Sequence, residues 1–290
     1  MMKRRDFLRN TALGLGAVAA NATHVNLLAN PYNMPIGLQL YTLRDDLAKD
    51  VNGTLAQVAA IGYKQVELYD NYGKDSRAMR KLLKDHGLVA PSGHYVVSQI
   101  ETNWPQQIEY AKAIGLKYMV NAILQPEQRK NLDDYKHLVD VFSKAGEETK
   151  KAGIQFAYHN HNFEFQTVEG VMPYQFLLEK LDANLVQFEM DTFWVTHSGH
   201  DPVEFFNKYP GRFPLLHIKD LKAGHPPTLD FDAQPGLFAE VGKGTIDWKR
   251  IFEAAPKGGM KYFYAEQDYC EIPPLESVKI SYEYLHSLTV

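Results

Sequence analysis

The chain is 290 residues long, 45% hydrophobic, and carries 31 lysines and arginines against 35 aspartates and glutamates, a net charge of −4. That length supports a substantial buried core, and the acidic balance weighs against a nucleic-acid partner, whose phosphates it repels. The single cysteine, Cys270, rules out an intrachain disulfide.

Residues 1–30 are set apart as an export signal and lead-in. MMKRRDFLRN gives a basic start, and TALGLGAVAANA a short apolar stretch ending in small residues, the pattern of a cleaved signal. Arg4-Arg5 followed by Asp6-Phe7-Leu8 resembles a twin-arginine signal, which implies export of an already folded, often cofactor-bearing protein to the periplasm. The apolar stretch falls short of the about 20 residues that a spanning helix needs, so no membrane association is expected of the mature form. Loss of residues 1–22 removes Lys3, Arg4, Arg5, Arg9 and Asp6, leaving 27 basic against 34 acidic side chains and a net charge of −7.

Residues 31–290 read as one domain of repeating strand and helix. IGLQLYTL precedes VNGTLAQVAAIG, QVELYD precedes SRAMRKLLKDHG, VAPSGHYVV precedes WPQQIEYAKAIG, and YMVNAIL precedes DDYKHLVDVFSKAGEETKKAG. IQFAYHNH, VQFEMD, FPLLHIKD and YFYAEQD follow, each with its own helical run. Gly62, Gly87, Gly115 and Gly153 end helical runs where a left-handed cap is wanted. Eight such units predict a (β/α)8 TIM barrel, with its site at the C-terminal ends of the strands. An open doubly wound sheet would want a glycine-rich phosphate loop after its first strand, and Arg44-Asp45-Asp46 stands there instead. The Gly- and Pro-rich connection from Leu221 to Gly244 is a lid candidate.

Four apolar runs in succession end in a metal ligand or proton carrier: His159 and His161, Asp191, His217, and Glu266. A buried strand has no structural use for an unpaired terminal acid or imidazole, which costs about 1–3 kcal/mol. Residues two apart share a face, which aligns Ala157, His159 and His161, pairs Glu189 with Asp191 and His217 with Lys219, and sets Glu266 with Tyr264 and Asp268. Mixed imidazole and carboxylate donors suit a divalent ion such as Mn, Co, Zn or Mg. On the earlier strands Gln39, Tyr41, Glu67, His94 and Asn121 would line the other half of the pocket, and Trp194 could stack on a sugar face or pack in the core.

The runs IGLQLYTLRD, AYHNH, DTFW, HIKD, GKGTIDW and AEQD resemble the xylose isomerase-like barrel superfamily of sugar isomerases, epimerases and inosose dehydratase, over nearly all of the chain from about residue 35. The second half is most similar to the inosose dehydratase branch. The resemblance implies a divalent metal held by Asp191, His217 and Glu266, with His159 where the epimerases carry Glu. His159 by strand register, or Glu164 reaching back, would be the fourth ligand.

A metal among general bases suits proton abstraction beside a carbonyl of a sugar or keto-sugar through an enediolate. The outcome would be isomerisation, epimerisation, or β-elimination by a keto-sugar or keto-glycoside lyase. His161 is the acid/base candidate or a hydrogen-bonding partner of substrate; Glu67 is a second acid/base or a hydroxyl clamp, and Lys219 a binder of substrate or enolate oxygen. Export and the missing phosphate cradle favour an unphosphorylated small-molecule substrate, and homo-oligomerisation is left open. Two other classes use this barrel, an apurinic endonuclease-like metal phosphodiesterase and a non-catalytic sugar-binding barrel; the first needs a basic DNA face that an acidic chain lacks.

Overall fold

The computed structural model describes residues 34–231 and 234–289, so the expected export signal lies outside the described residues. Its strands are β1 (Gly37–Gln39), β2 (Gln65–Leu68), β3 (Val89–Tyr95), β4 (Tyr118–Asn121), β5 (Gln155–His159), β6 (Val186–Asp191), β7 (Leu215–Ile218), β8 (Asp220–Leu221), β9 (Phe238–Ala239) and β10 (Tyr262–Ala265). All except β8 and β9 close into a barrel in the order β1-β10-β7-β6-β5-β4-β3-β2, every neighbouring pair parallel. Each of the eight runs predicted as strands supplies one stave, and helices cover the outside, as in a single (β/α)8 barrel. No described helix is long and apolar enough to cross a membrane.

Side-chain alternation sorts the core into two layers. Tyr118, Val120, Ala157, Leu215 and Tyr264 form a separate cluster inside the barrel, with Ser92 Oγ donating to Tyr264 Oη at 2.8 Å. Phe156, Tyr158, Phe188, Leu216 and Phe263 belong to the large outer cluster between sheet and helices. The expected inward face of β5, Ala157 with His159, is therefore the observed one. The four glycines expected to cap helices all have positive φ: Gly62 at 130°, Gly87 at 66°, Gly115 at 96° and Gly153 at 76°.

Two local departures reach the site. The strand-like run IGLQLYTL stops at Gln39, and Leu40–Leu43 turns as a 3-10 helix whose first turn is capped by the Gln39 side chain accepting from Tyr41 N at 3.1 Å. Tyr41 therefore does not share a strand face with Gln39; it swings out to the barrel mouth.

The connection after β7 carries secondary structure of its own. β8 and β9 pair antiparallel, and the buried Asp220 carboxylate gathers the return of the chain. It accepts from Leu221 N, Gly242 N, Gly244 N, Ile246 N and Trp248 Nε1 at 2.8–3.2 Å. A Cβ at Gly244 would collide with that carboxylate and with Leu221 O, so the close approach requires glycine.

Candidate metal centre and its cavity

Strand register brings the donors together. His159 pairs with Glu189, and Asp191 with His217, while Glu266 follows β10 and donates its backbone N–H to Ile218 O. The donor atoms of His159, Asp191, His217 and Glu266 all lie within 4.8 Å of one another, and all four residues are buried.

Hydrogen bonds fix how the two imidazoles face. His159 Nδ1 donates to Ala122 O at 2.9 Å, which leaves Nε2 a lone pair directed at His217 Nδ1 (3.1 Å) and Asp191 Oδ2 (3.3 Å). On the far side of its ring, His217 Nε2 donates to Glu67 Oε2 at 2.6 Å, so its Nδ1 also points inward, 2.7 Å from Glu266 Oε2. Glu266 Oε2 makes no hydrogen bond of acceptable angle, although His217 Nδ1 and Lys219 Nζ (2.8 Å) are near. Two imidazole nitrogens and two carboxylates thus converge on a common volume within hydrogen-bonding distance of one another, and although burial opposes it, Glu189 and Glu266 hold the His217 pKa well above its ordinary value. That arrangement calls for a cation, and the backbone carbonyl and acid behind the imidazoles are the supporting partners usual for histidine ligands. The residues fit a divalent metal.

Beneath His217 lies a second group of Glu67, His94, Glu189 and His217, also with donor atoms within 4.8 Å. His94 Nε2 contacts Glu189 Oε2 at 2.7 Å and Glu67 Oε2 at 3.3 Å, and Gln39 Nε2 donates to Glu67 Oε2 at 2.8 Å. Burial alone would raise the Glu67 pKa, but His94 and His217 override it and hold the carboxylate ionised well below its usual range. Glu189 goes the other way. Burial and the Glu67 charge push it to about 7, while neighbouring Glu67 and Glu189 outweigh burial to lift His94 to about 9.

Glu67, expected to act in the cavity, therefore sits under it with no exposure and holds His217, and Gln39 in turn holds Glu67. Neither lines the cavity, nor do Asn121, which donates to Tyr95 O at 3.4 Å, or Trp194. The tryptophan is fully buried among Phe193, Phe231 and Phe238, so it packs behind the site and presents no open face to a sugar.

The cavity above the donors has a volume of about 420 Å³, and Tyr41, His94, His159, His161, Lys219 and Glu266 are among its lining residues. His161 is buried with Nδ1 unpartnered, its ring stacked on Phe163 at 5.4 Å and 4.9 Å from His159. Burial first, then His159 and Lys219, lower its pKa well below the ordinary value, so it stands neutral. Lys219 Nζ contacts Asp191 (3.0 Å), Glu266 (2.8 Å) and Asp268 (2.8 Å). Burial opposes its charge, but the three carboxylates outweigh that and keep it protonated.

Glu164 is not a member of the donor group. It accepts from Tyr158 Oη at 2.5 Å and from His161 N at 2.9 Å, whereas His159 is the fourth member of the group. Sequence reasoning assigned no role to Glu189 or Asp268. Their signal was present in the two-residue alternation that sets them beside Asp191 and Glu266.

Comparison with known proteins agrees with this fold. The profile of the xylose isomerase-like TIM barrel family matches residues 55–288. The chain is 25% identical over 273 residues to inosose dehydratase of Lacticaseibacillus casei, covering 83% of this chain and 91% of that protein. Among solved structures it is similar to a sugar phosphate isomerase/epimerase from Parabacteroides distasonis, at 28% identity and TM-score 0.74, covering 87% of this chain and 93% of the other. The fold is also that of the IOLI protein, solved with a bound zinc atom, at 17% identity and TM-score 0.70, covering 86% and 96% of the two chains. With a closed barrel of eight parallel staves and a family match across most of its length, the chain belongs to the xylose isomerase-like TIM barrel family.

Proposed function

We propose that the protein is a divalent-metal-dependent enzyme that removes the proton beside the carbonyl of a keto-sugar, keto-cyclitol or keto-glycoside and then expels a β-leaving group. The observation that carries this reading is the convergence of His159 Nε2, His217 Nδ1, Asp191 and Glu266, two of which, His159 and Glu266, line the cavity together with His161. A bound divalent ion supplies Lewis acidity toward the carbonyl.

The chain's own residues do the rest. His161, neutral and lining the cavity, accepts the carbon-bound proton. Lys219 carries a fixed positive charge beside the position where the enediolate oxygen develops. The buried setting of these groups, with 7% or less of each exposed, keeps competing water out. Elimination is favoured over isomerisation or epimerisation by the likeness to inosose dehydratases.

An unphosphorylated substrate fits better than a sugar phosphate. Among the described lining residues Lys219 is the one lysine, already surrounded by three carboxylates, and there is no arginine. The basic, apolar N-terminal sequence supports export by a twin-arginine route and work in the periplasm. Cleavage near residue 22 in the native host would support that route, and retention of residues 1–22 would refute it.

The deciding experiment is incubation of the metal-loaded protein with a panel of keto-sugars in deuterated water, followed by NMR. Deuterium at the carbon next to the carbonyl, with release of a leaving group, is the expected result. Turnover of phosphorylated sugars alone, or no exchange with any metal, would sink the proposal.

A further inference from the structure

Four large hydrophobic side chains are well exposed among the described residues, and three of them, Tyr41 (40%), Phe231 (39%) and Tyr269 (40%), stand around the mouth of this one cavity. Scattered exposed apolar residues need no explanation, but their concentration at one opening does. The rings are also held in place before any ligand arrives. The Arg44 guanidinium carbon lies 4.3 Å from the Tyr41 ring centre and 5.4 Å from that of Tyr269, and Arg44 Nη1 donates to Tyr41 O at 3.1 Å. Tyr69 meets Tyr41 edge-on at 5.5 Å and 89°.

The cavity is thus of two kinds along its depth. Its floor offers imidazoles, acids and an ammonium, which match the carbonyl and hydroxyls of one sugar ring. Its mouth offers aromatic faces, and the whole, at about 420 Å³, falls in the range of sites that enclose drug-sized ligands. Arg44, which packs on the Tyr41 and Tyr269 rings outside the lining, is already engaged with both rings and a carbonyl, so the outer part suits a flat or C–H-rich ring better than an anion.

We propose that the substrate is a glycoside carrying a second ring, and that Tyr41 and Tyr269 form the subsite that stacks on this outer ring. The inference rests on the keto-sugar reading above for the identity of the inner ring. Because the rings are pre-oriented, stacking costs little ordering and its gain appears as affinity. An aromatic aglycone and a second pyranose share the chemistry involved, and the test separates them.

Dissociation constants are measured by saturation-transfer NMR on the metal-loaded protein for methyl glucoside, phenyl glucoside, cellobiose and glucose 6-phosphate, each as the parent and as the keto form. A two-ring ligand should bind about tenfold tighter than methyl glucoside, which corresponds to about 1.4 kcal/mol. Phenyl glucoside leading identifies an aromatic aglycone; cellobiose leading identifies a second sugar. Tyr269→Ala should abolish the advantage, and Tyr269→Phe should keep it. Equal constants, no binding of either two-ring ligand, tightest binding of glucose 6-phosphate, or an advantage that survives both Tyr269→Ala and Tyr41→Ala would each overturn the proposal. Deuterium exchange on a one-ring keto-sugar without a two-ring preference would retain the proposed reaction and reject this subsite. A two-ring preference without exchange on any substrate would do the reverse.

Discussion

Replacing Glu67 by glutamine takes one negative charge from beneath His217 and keeps the shape. Glu67 Oε2 receives the His217 Nε2 proton at 2.6 Å and the Gln39 amide at 2.8 Å, at a position with no solvent exposure. A hydrogen bond to a charged group contributes about 1.5–3 kcal/mol and a neutral one about 0.5–1.5. The substitution therefore weakens the hold on His217 by roughly 1–1.5 kcal/mol, and with it the basicity of Nδ1. Supporting partners of a ligating histidine usually change metal affinity by about 10- to 100-fold, and the energy difference here sets the expectation at the lower end, about tenfold. Competition of the purified variant against a chromogenic chelator for Zn²⁺ or Mn²⁺ measures this directly, with circular dichroism as a check on folding. Unchanged affinity would refute the supporting role. A loss as complete as that of Glu266→Gln would refute it in the other direction, by making Glu67 itself a ligand.

Glu266→Gln and His217→Ala should abolish metal binding and deuterium exchange together, whereas His161→Ala should bind metal normally and lose turnover; normal exchange in the last variant would exclude His161 as the base. Asp220→Ala strands five donors around a buried site, a loss of about 3–5 kcal/mol by analogy with other broken buried charge contacts. Thermal melting should then shift down on the order of 10 °C, and a melting temperature within a degree or two of the parent would contradict the role given to Asp220. Burial raises the Glu164 pKa from 4.5 to about 7, despite hydrogen bonds from Tyr158 and His161 N and the influence of Arg129. The folded state thus holds this proton more tightly than the unfolded chain, so its contribution is largest below about pH 4.5 and is lost as pH rises to about 7, by roughly 3 kcal/mol in all. Urea denaturation of Glu164→Gln at pH 5 and pH 8 should show a smaller fall in stability than the parent by about that amount; equal falls would refute it.

Much of the barrel could be read from the chain because each stave is a short apolar run between helices punctuated by glycine, as at Gly87 before β3 and Gly153 before β5. The inner face of β5 was equally legible, since the small Ala157 two residues before His159 marks the crowded interior. What was hidden depends on neighbours far along the chain. Nothing local to Glu67 says that it faces His217 rather than solvent, because that contact spans 150 positions and exists only once the barrel has closed. Trp194 follows the Asp191 strand as a sugar-stacking residue would, yet a short helix begins at Thr192 and turns its ring into the aromatic cluster behind the site. The end of β1 was misjudged because Gln39 caps its own chain, an interaction that alternation of apolar residues does not register.

The placement of the donors at the tips of the staves, and of Tyr41, Phe231 and Tyr269 on the connecting segments, separates two kinds of evolutionary freedom. A one-residue insertion inside β5, β6 or β7 would turn every alternate side chain to the opposite face and scatter the metal ligands, so the staves can diverge only by substitution. The connecting segments carry no such restriction on length. New substrates can be acquired by exchanging loops over an unaltered centre, and in the laboratory a library confined to those loops should change selectivity while metal affinity stays constant.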